Sequence, residues 1–302
     1  MNIRKIFDRD TILHLRIPFS LFLLPVFCFG VSQAASVHIA DMAVVFIALH
    51  LFIYPGSNAY NSYMDKDEGS IGGLEKPPPV TRSLLYASII FDALGLSISL
   101  IVGWQMMLLL AVYVLFSKAY SWTGIRLKKR AIAGWATVAL FQGGYTFLLA
   151  NMAVTKQFSV DWFTSKNLTC MLFATLIIGG SYPLTQVYQH DEDGRRGDRT
   201  ISYRLGIVGT FIFTGIFFTA GAGVALYYFS KYYSVGQFFV FVGCTLPVVI
   251  SFFNWFLRVR KDRAMADFRN AMFMNKISSV CMIICFCMLI AANAARTQWT
   301  LW

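Results

Sequence analysis

Residues 50–69 place Asn58, Asn61, Asp65 and Glu68 at separations of three, four and three. On a helix that spacing puts all four polar side chains on one face. Asp67 adds a third acid within four positions. Residues 186–198 repeat the pattern, with Gln186, Gln189 and Asp193 each 128 positions after Asn58, Asn61 and Asp65, and with Asp191, Glu192 and Asp198 beside them. An anionic stripe growing out of an apolar segment is costly unless it meets water, a cation or a partner. The donors are all oxygens, with no His or Cys cluster, which suits Mg²⁺, an ion that keeps waters and bridges carboxylates to phosphates. The same loops carry cations: Lys66, Lys76 and Arg82 in one, Arg195, Arg196 and Arg199 in the other. A third loop adds Arg126, Lys128, Lys129 and Arg130, with Tyr120 just before it. Acids, a metal and basic side chains around one pocket suit a diphosphate.

The elements that must position these stripes are membrane helices. Of 302 residues, 57% are hydrophobic and 14% charged, against about 25% charged in soluble domains. Apolar runs near the ~20 residues a span requires occur at roughly 17–34, 38–57, 83–103, 105–122, 132–153, 168–187, 206–229, 236–257 and 271–293. The expectation is an all-α membrane protein of nine transmembrane helices in a single bundle, with residues 1–302 as one domain. The net charge of +11 leaves no soluble basic domain for nucleic acid, so it is read as a topology signal. Twenty Lys and Arg residues fall in the segments on one side of the spans, against Lys156, Lys166, Lys231 and Arg296 on the other. The positive-inside bias places the N-terminus and both acidic stripes in the cytoplasm, on a multi-pass protein whose cytoplasmic loops cover the site. The N-terminus lacks a small-residue cleavage signal and reads as retained. The six cysteines lie in apolar runs without metal-type spacing and read as small hydrophobes.

Residues 61–65, Asn-Ser-Tyr-Met-Asp, resemble the first motif of UbiA-type intramembrane prenyltransferases. The second stripe, followed by Gly197, Thr200, Leu205 and Gly206, is similar to their second Asp-rich motif. Tyr120 and Ser121, with Leu127, Lys128, Lys129 and Arg130 following, resemble a third cytoplasmic element. The resemblance spans nearly the whole chain. It implies transfer of a prenyl group from a prenyl diphosphate to a small hydrophobic or aromatic acceptor, with two Mg²⁺ held between the motifs. It assigns Asn61, Asp65, Asp67, Glu68, Asp191 and Asp193 to metal, and Lys128, Lys129, Arg130 and Arg199 to diphosphate. Asp65, Asp193 and Tyr120 are the expected catalytic residues. Two positions depart from the family pattern: Gly69 and Gln189 stand where acids are usual.

Asn58, Gln189, His50 and Asp92 are candidates for the acceptor or pocket wall, with Gln142, Tyr145 and Asn254 behind them. Asp92 stands out because a mid-span carboxylate is costly. Residues 72–79, Gly-Gly-Leu-Glu-Lys-Pro-Pro-Pro, lack a P-loop ending and read as a stiff connector over the pocket. The expected acceptor is aromatic, on a quinone or related lipid pathway. A non-aromatic acceptor or cyclisation of the prenyl chain stays open within the same family. A cation-coupled secondary transporter is the rival from another class, disfavoured because transporters hold coupling ions near the midplane.

Overall fold

The structure, a computed structural model, describes residues 6–301. Among the described residues nine helices of at least 17 residues follow one another. They are α1 (Arg9–Ser32), α2 (Ile39–Asp65), α3 (Ser83–Ser99), α4 (Trp104–Ser121), α5 (Ala131–Thr155), α6 (Ser165–Arg196), α7 (Ile201–Tyr232), α8 (Val235–Lys261) and α9 (Phe268–Asn293). Seven are long and apolar enough to cross a membrane; α3 and α4 are the exceptions. Their 17 and 18 residues reach ~26 Å, at the short end of the ~17–25 residues found in membrane-crossing helices. The run expected to end at 103 stops at Ser99, whose hydroxyl bonds back to the Leu96 carbonyl at 2.7 Å. The chain then turns through Gly103, whose φ of 152° with ψ of 160° is a region nearly confined to glycine.

Neighbouring helices pack in sequence order, α2 on α3, α6 on α7 and α8 on α9, while α1 packs on both α5 and α9 and closes the bundle. Lipid tails are as apolar as leucine, so association in a bilayer depends on close packing more than on hydrophobic transfer. Glycines supply that closeness. A Cβ at Gly30 of α1 would stand 2.7 Å from the Ala150 Cβ of α5, and one at Gly143 would stand 2.7 Å from the Ala174 carbonyl of α6. The outward faces of α7 and α8 expose Ile212, Ile216, Phe239, Leu246 and Ile250, as a lipid-facing surface should.

The bundle end away from the stripes is tied by β1 (Ser36–His38) and β2 (Gln298–Thr300), a two-stranded parallel pair. Hydrogen bonds and an ion pair close the rest of that end: the Tyr228 hydroxyl donates to Gln33 at 2.7 Å, Trp162 Nε1 to Asn151 at 2.8 Å, and Lys156 meets Asp41 at 3.1 Å. The charged stripes all gather at the other end.

Candidate functional site

Three helices lose regular α-geometry where they must turn polar groups inward. In α2 the segment Ile47–Ile53 is a π-helix, two residues before Pro55; in α5 Ala139–Tyr145 is another; in α6 Tyr182–Gln189 is a 3₁₀ helix with Pro183 in its first turn. Proline has no N–H and its ring strikes the carbonyl four residues back. In α6 that carbonyl belongs to Gly179, and the Trp135 indole N–H donates to it at 2.8 Å. The Gly180 carbonyl is taken by the Thr214 hydroxyl at 2.8 Å. With the freed backbone groups satisfied, the interruption costs little and re-aims the stripe. Such interruptions are frequent at functional sites.

The re-aimed helices enclose a cavity of about 440 Å³. At its mouth Arg16, Asp65, Asp67, Lys128 and Asp193 line it, with Asn58, Asn61, Tyr120 and Gln189 beside them. Deeper, its wall is built of aromatic and aliphatic residues from α1 and α5–α9, including Phe22, Phe173, Phe218, Phe241 and Phe286.

Asp65 is the last residue of α2, and its side chain is 1% exposed. Lys66 follows with φ 51°, which ends the helix and turns the chain. Glu68 therefore leaves the expected face. It is exposed, outside the cavity wall, and its backbone N–H donates to Glu192 Oε1 at 3.0 Å. Lys128 Nζ meets Asp65 Oδ2 at 2.6 Å, and Arg126 stands 3.7 Å from Oδ1. Arg126 is itself held by Asp198 in a two-point contact of 3.2 and 2.9 Å, which pushes its pKa above the ordinary value. Asp65 Oδ1 is buried and has no hydrogen-bond partner.

Lys128 reaches the cavity from a 3₁₀ turn, Leu127–Lys129, and Gly134 lets the start of α5 press onto it, since a Cβ there would lie 2.8 Å from the Lys128 Cα. Parallel bridges join Arg130 to Arg199 and Ala131 to Thr200, laying the third loop along the second stripe. The Thr200 hydroxyl then donates to Asp193 Oδ2 at 2.9 Å. Among the described residues Asp193 has no ion-pair partner. Arg196 contacts Asp67, donates to Glu192 at 2.7 Å and to the Lys66 carbonyl at 3.0 Å, and so stitches the two acidic loops together. Gln189 adds a hydrogen bond of 3.1 Å to the Ser70 carbonyl. The loop after α2 thereby covers the mouth, with Ile71 and Gly72 in the cavity wall.

Other expected residues stand elsewhere. Asp191, Lys129, Arg130 and Arg199 are exposed and outside the cavity wall. His50 is fully buried behind the wall, stacked on Phe46 at 5.1 Å, with Nδ1 3.1 Å from the Ser20 carbonyl. Asp92 is outside the wall too and pairs with Lys118 at 2.6 Å, the usual solution for a carboxylate inside a membrane. Tyr120 is in the wall, its hydroxyl bonded to that of Tyr182, which in turn accepts from Gln186 at 2.8 Å. Asn61 donates to the Ser121 hydroxyl at 2.7 Å and Asn58 to the Leu15 carbonyl at 3.3 Å.

Arg16 is the site residue that sequence reading left among the topology charges. It kinks α1 with φ 49° and is 7% exposed. Its guanidinium donates to the Gly72 and Asn58 carbonyls at 3.0 Å each, and its Nε is unpartnered. The available signal was a lone arginine immediately before Ile17-Pro18 at the start of an apolar run.

The donors fit a hard divalent cation in kind: the free oxygen of Asp65, the Asp193 carboxylate and the amide oxygens of Asn61 and Gln189 all belong to one cavity. Among the described residues no three His, Cys, Asp or Glu side chains gather as a metal cage. That suits an ion completing its shell with water and phosphate oxygens.

The fold is shared with solved structures. A UbiA homolog from Archaeoglobus fulgidus bound to GPP and Mg²⁺ superposes with a TM-score of 0.67 at 16% identity, covering 93% of this chain and 99% of the other. The same protein bound to DMAPP and Mg²⁺ gives 0.66 at 16%, with the same coverage. A digeranylgeranylglyceryl phosphate synthase gives 0.59 at 16%, covering 94% of this chain and 97% of the other. No curated protein sequence matches at a significant level. The model of the UbiA prenyltransferase family, however, matches residues 22–277, a stretch holding both stripes, and the chain belongs to that family.

Proposed function

We propose that the protein is a Mg²⁺-dependent prenyltransferase that moves a prenyl group from a prenyl diphosphate to an aromatic acceptor of a quinone or related lipid pathway. The observation that carries this reading is the single cavity with a charged mouth and an apolar interior, into which Asp65 and Asp193 face from separate stripes. A diphosphate fits the mouth and a polyprenyl tail the aromatic wall. The solved relatives bound to GPP or DMAPP with Mg²⁺ support the same pairing. We also read the chain as one domain with nine spans, its N-terminus and the cavity mouth on the cytoplasmic side.

In this reading Asp65, Asp193 and Asn61 would hold Mg²⁺ in the cavity, with Asp67 in the same wall and Glu68 and Asp191 exposed on the loops beside it. Bound Mg²⁺ supplies Lewis-acid neutralisation of charge on the departing diphosphate. Lys128 and Arg16 provide fixed cations at the mouth, and Lys129, Arg130 and Arg199 draw the anion from solvent. The allylic C–O bond breaks with its electron pair leaving on diphosphate. Tyr120 and the aromatic wall face the resulting carbocation and exclude water. A ring carbon of the acceptor forms the new C–C bond, and the displaced ring proton passes to diphosphate or solvent at the mouth.

The test is purified protein with labelled geranylgeranyl diphosphate, Mg²⁺ and a panel of phenolic acceptors. Diphosphate release and a prenylated product, both lost in Asp65→Ala and Asp193→Ala, are expected. Cation-driven uptake into vesicles with no diphosphate release would overturn the enzyme reading in favour of a transporter. Prenylation of a glycerol phosphate in place of every phenol would overturn the aromatic acceptor alone. Cysteine labelling should reach positions 66 and 195 from one side of the membrane and 156 and 231 from the other.

A further inference from the structure

All the charged residues lining the cavity stand at its mouth, and the wall just beneath them is polar without charge. Ser57 lies one helical turn below Asn61 on α2, and Ser117 one turn below Ser121 on α4. Tyr113 of α4 and Gln142 of α5 line the same cavity. Ser57 Oγ is buried with no partner at all. An unsatisfied buried hydroxyl costs ~1–3 kcal/mol, so native proteins tolerate one mainly where something else is to bind.

Gln142 sits in this wall because α5 is π-helical there. Gly143 and Gly144 on its other side let the widened turn press into α6, where added Cβ atoms would come 2.7 Å from the Ala174 carbonyl and 2.6 Å from the Thr175 hydroxyl. The opposite wall, from α1 and α6–α9, is mostly aromatic and aliphatic, with Ser181, Thr185, Thr245, Asn275, Ser278 and Ser279 set among the apolar side chains. Below the mouth the apolar side chains from α1 and α6–α9 suit a hydrocarbon tail, while Ser57 on the facing side offers an unpartnered hydroxyl to an uncharged polar head.

We propose that Ser57, Tyr113, Ser117 and Gln142 form the acceptor subsite, which takes an uncharged head bearing hydroxyl or carbonyl groups and rejects a carboxylate. The inference rests on the prenyl-transfer reading above. Hydroxyls and a carboxamide can both donate to and accept from a phenol or quinol. A carboxylate there would be desolvated without a cation to meet it. The cations that line the cavity stand at its mouth, where Lys128 pairs with Asp65 at 2.6 Å and Arg16 donates to two backbone carbonyls at 3.0 Å.

The full-length protein in lipid nanodiscs, with geranylgeranyl diphosphate and Mg²⁺, is given hydroquinone or 2,5-dihydroxybenzoate, which differ only by a carboxylate. Hydroquinone should be used with the higher kcat/KM. Ser57→Ala and Gln142→Leu should each raise its KM about tenfold, matching loss of a ~1.4 kcal/mol hydrogen bond, and leave the KM for the diphosphate unchanged. Preference for the carboxylate, use of neither compound, or variants that move only the diphosphate KM overturns the subsite. Ser57→Ala removes one orphaned oxygen and decides the matter if Gln142→Leu does not fold. If no diphosphate is released with any acceptor, the transfer reading falls by itself. Melting shifts with hydroquinone, inorganic pyrophosphate and Mg²⁺ then decide the subsite: a shift in the wild type that Ser57→Ala abolishes supports it, and no shift overturns it.

Discussion

The two polar stripes share their spacing and lie 128 residues apart, yet they end in carboxylates with opposite surroundings. Asp65 closes an α-helix, is buried to 1% and faces two cations, one at 2.6 Å and one at 3.7 Å. Asp193 follows a 3₁₀ segment, faces the same cavity and is held by a single hydroxyl at 2.9 Å. Identical periodicity therefore places two acids in one cavity while leaving their electrostatic roles to the loops that meet them. Asp65 is tied into the scaffold through Oδ2 and leaves only Oδ1 unpartnered, whereas Asp193 has no ion-pair partner among the described residues.

That contrast is sharpest in stability. Asp65→Asn strips the charge that Lys128 and Arg126 oppose and leaves Lys128 with only Asp198 at 3.8 Å, a loss of ~3 kcal/mol. Asp193→Asn keeps an acceptor for the Thr200 hydroxyl and should cost under ~1 kcal/mol. Thermal unfolding in the same detergent would show a large drop in Tm for the first and almost none for the second. Equal drops would break the distinction between an acid paired into the scaffold and one left unpaired. Binding of Mn²⁺ in the presence of inorganic pyrophosphate should show the second half of the contrast, with Asp193→Asn losing most of its affinity despite its intact fold.

A somewhat smaller effect is expected one step back from Asp65. Arg126 is shared between Asp198, at 2.9 Å, and Asp65, so Asp198→Asn should destabilise by ~2–3 kcal/mol through a buried, two-point ion pair. In combination with Asp65→Asn the losses should fall well short of additive, because both acids oppose the same guanidinium. A double-mutant cycle by thermal unfolding measures this. Additive losses would show that the two carboxylates act as separate contacts.

How much of this could be read beforehand follows the same division. The stripes were legible because helical periodicity and a repeated acid pattern are local properties of the chain. The helices were legible because runs of ~20 apolar residues have few other solutions, although α3 ends early where Ser99 and Gly103 impose their own turn. Glu68 was placed on the helical face because nothing in its side chain announces that Lys66 turns left-handed one position after Asp65. The fate of Asp92 depended on Lys118, 26 positions later and on another helix. Arg16 looked like one more topology charge until the fold brought Gly72 and Asn58 to its guanidinium. Pairings across the bundle are set by tertiary packing, and the chain's local pattern does not encode them.

The smallest predicted effect probes the departure at Gln189. Its amide now ties down the loop through the Ser70 carbonyl at 3.1 Å, one helical turn before Asp193. Gln189→Asp gives up that hydrogen bond, about 1 kcal/mol, and sets a second carboxylate beside the free one. Like charges at that spacing repel until a divalent cation sits between them. The variant should therefore melt slightly lower without metal and bind Mn²⁺ with pyrophosphate a few-fold more tightly, reversing the order of stabilities once metal is added. Unchanged metal affinity would mean that Asp193 and Asp65 already complete the protein's share of the coordination, and that Gln189 serves the loop alone.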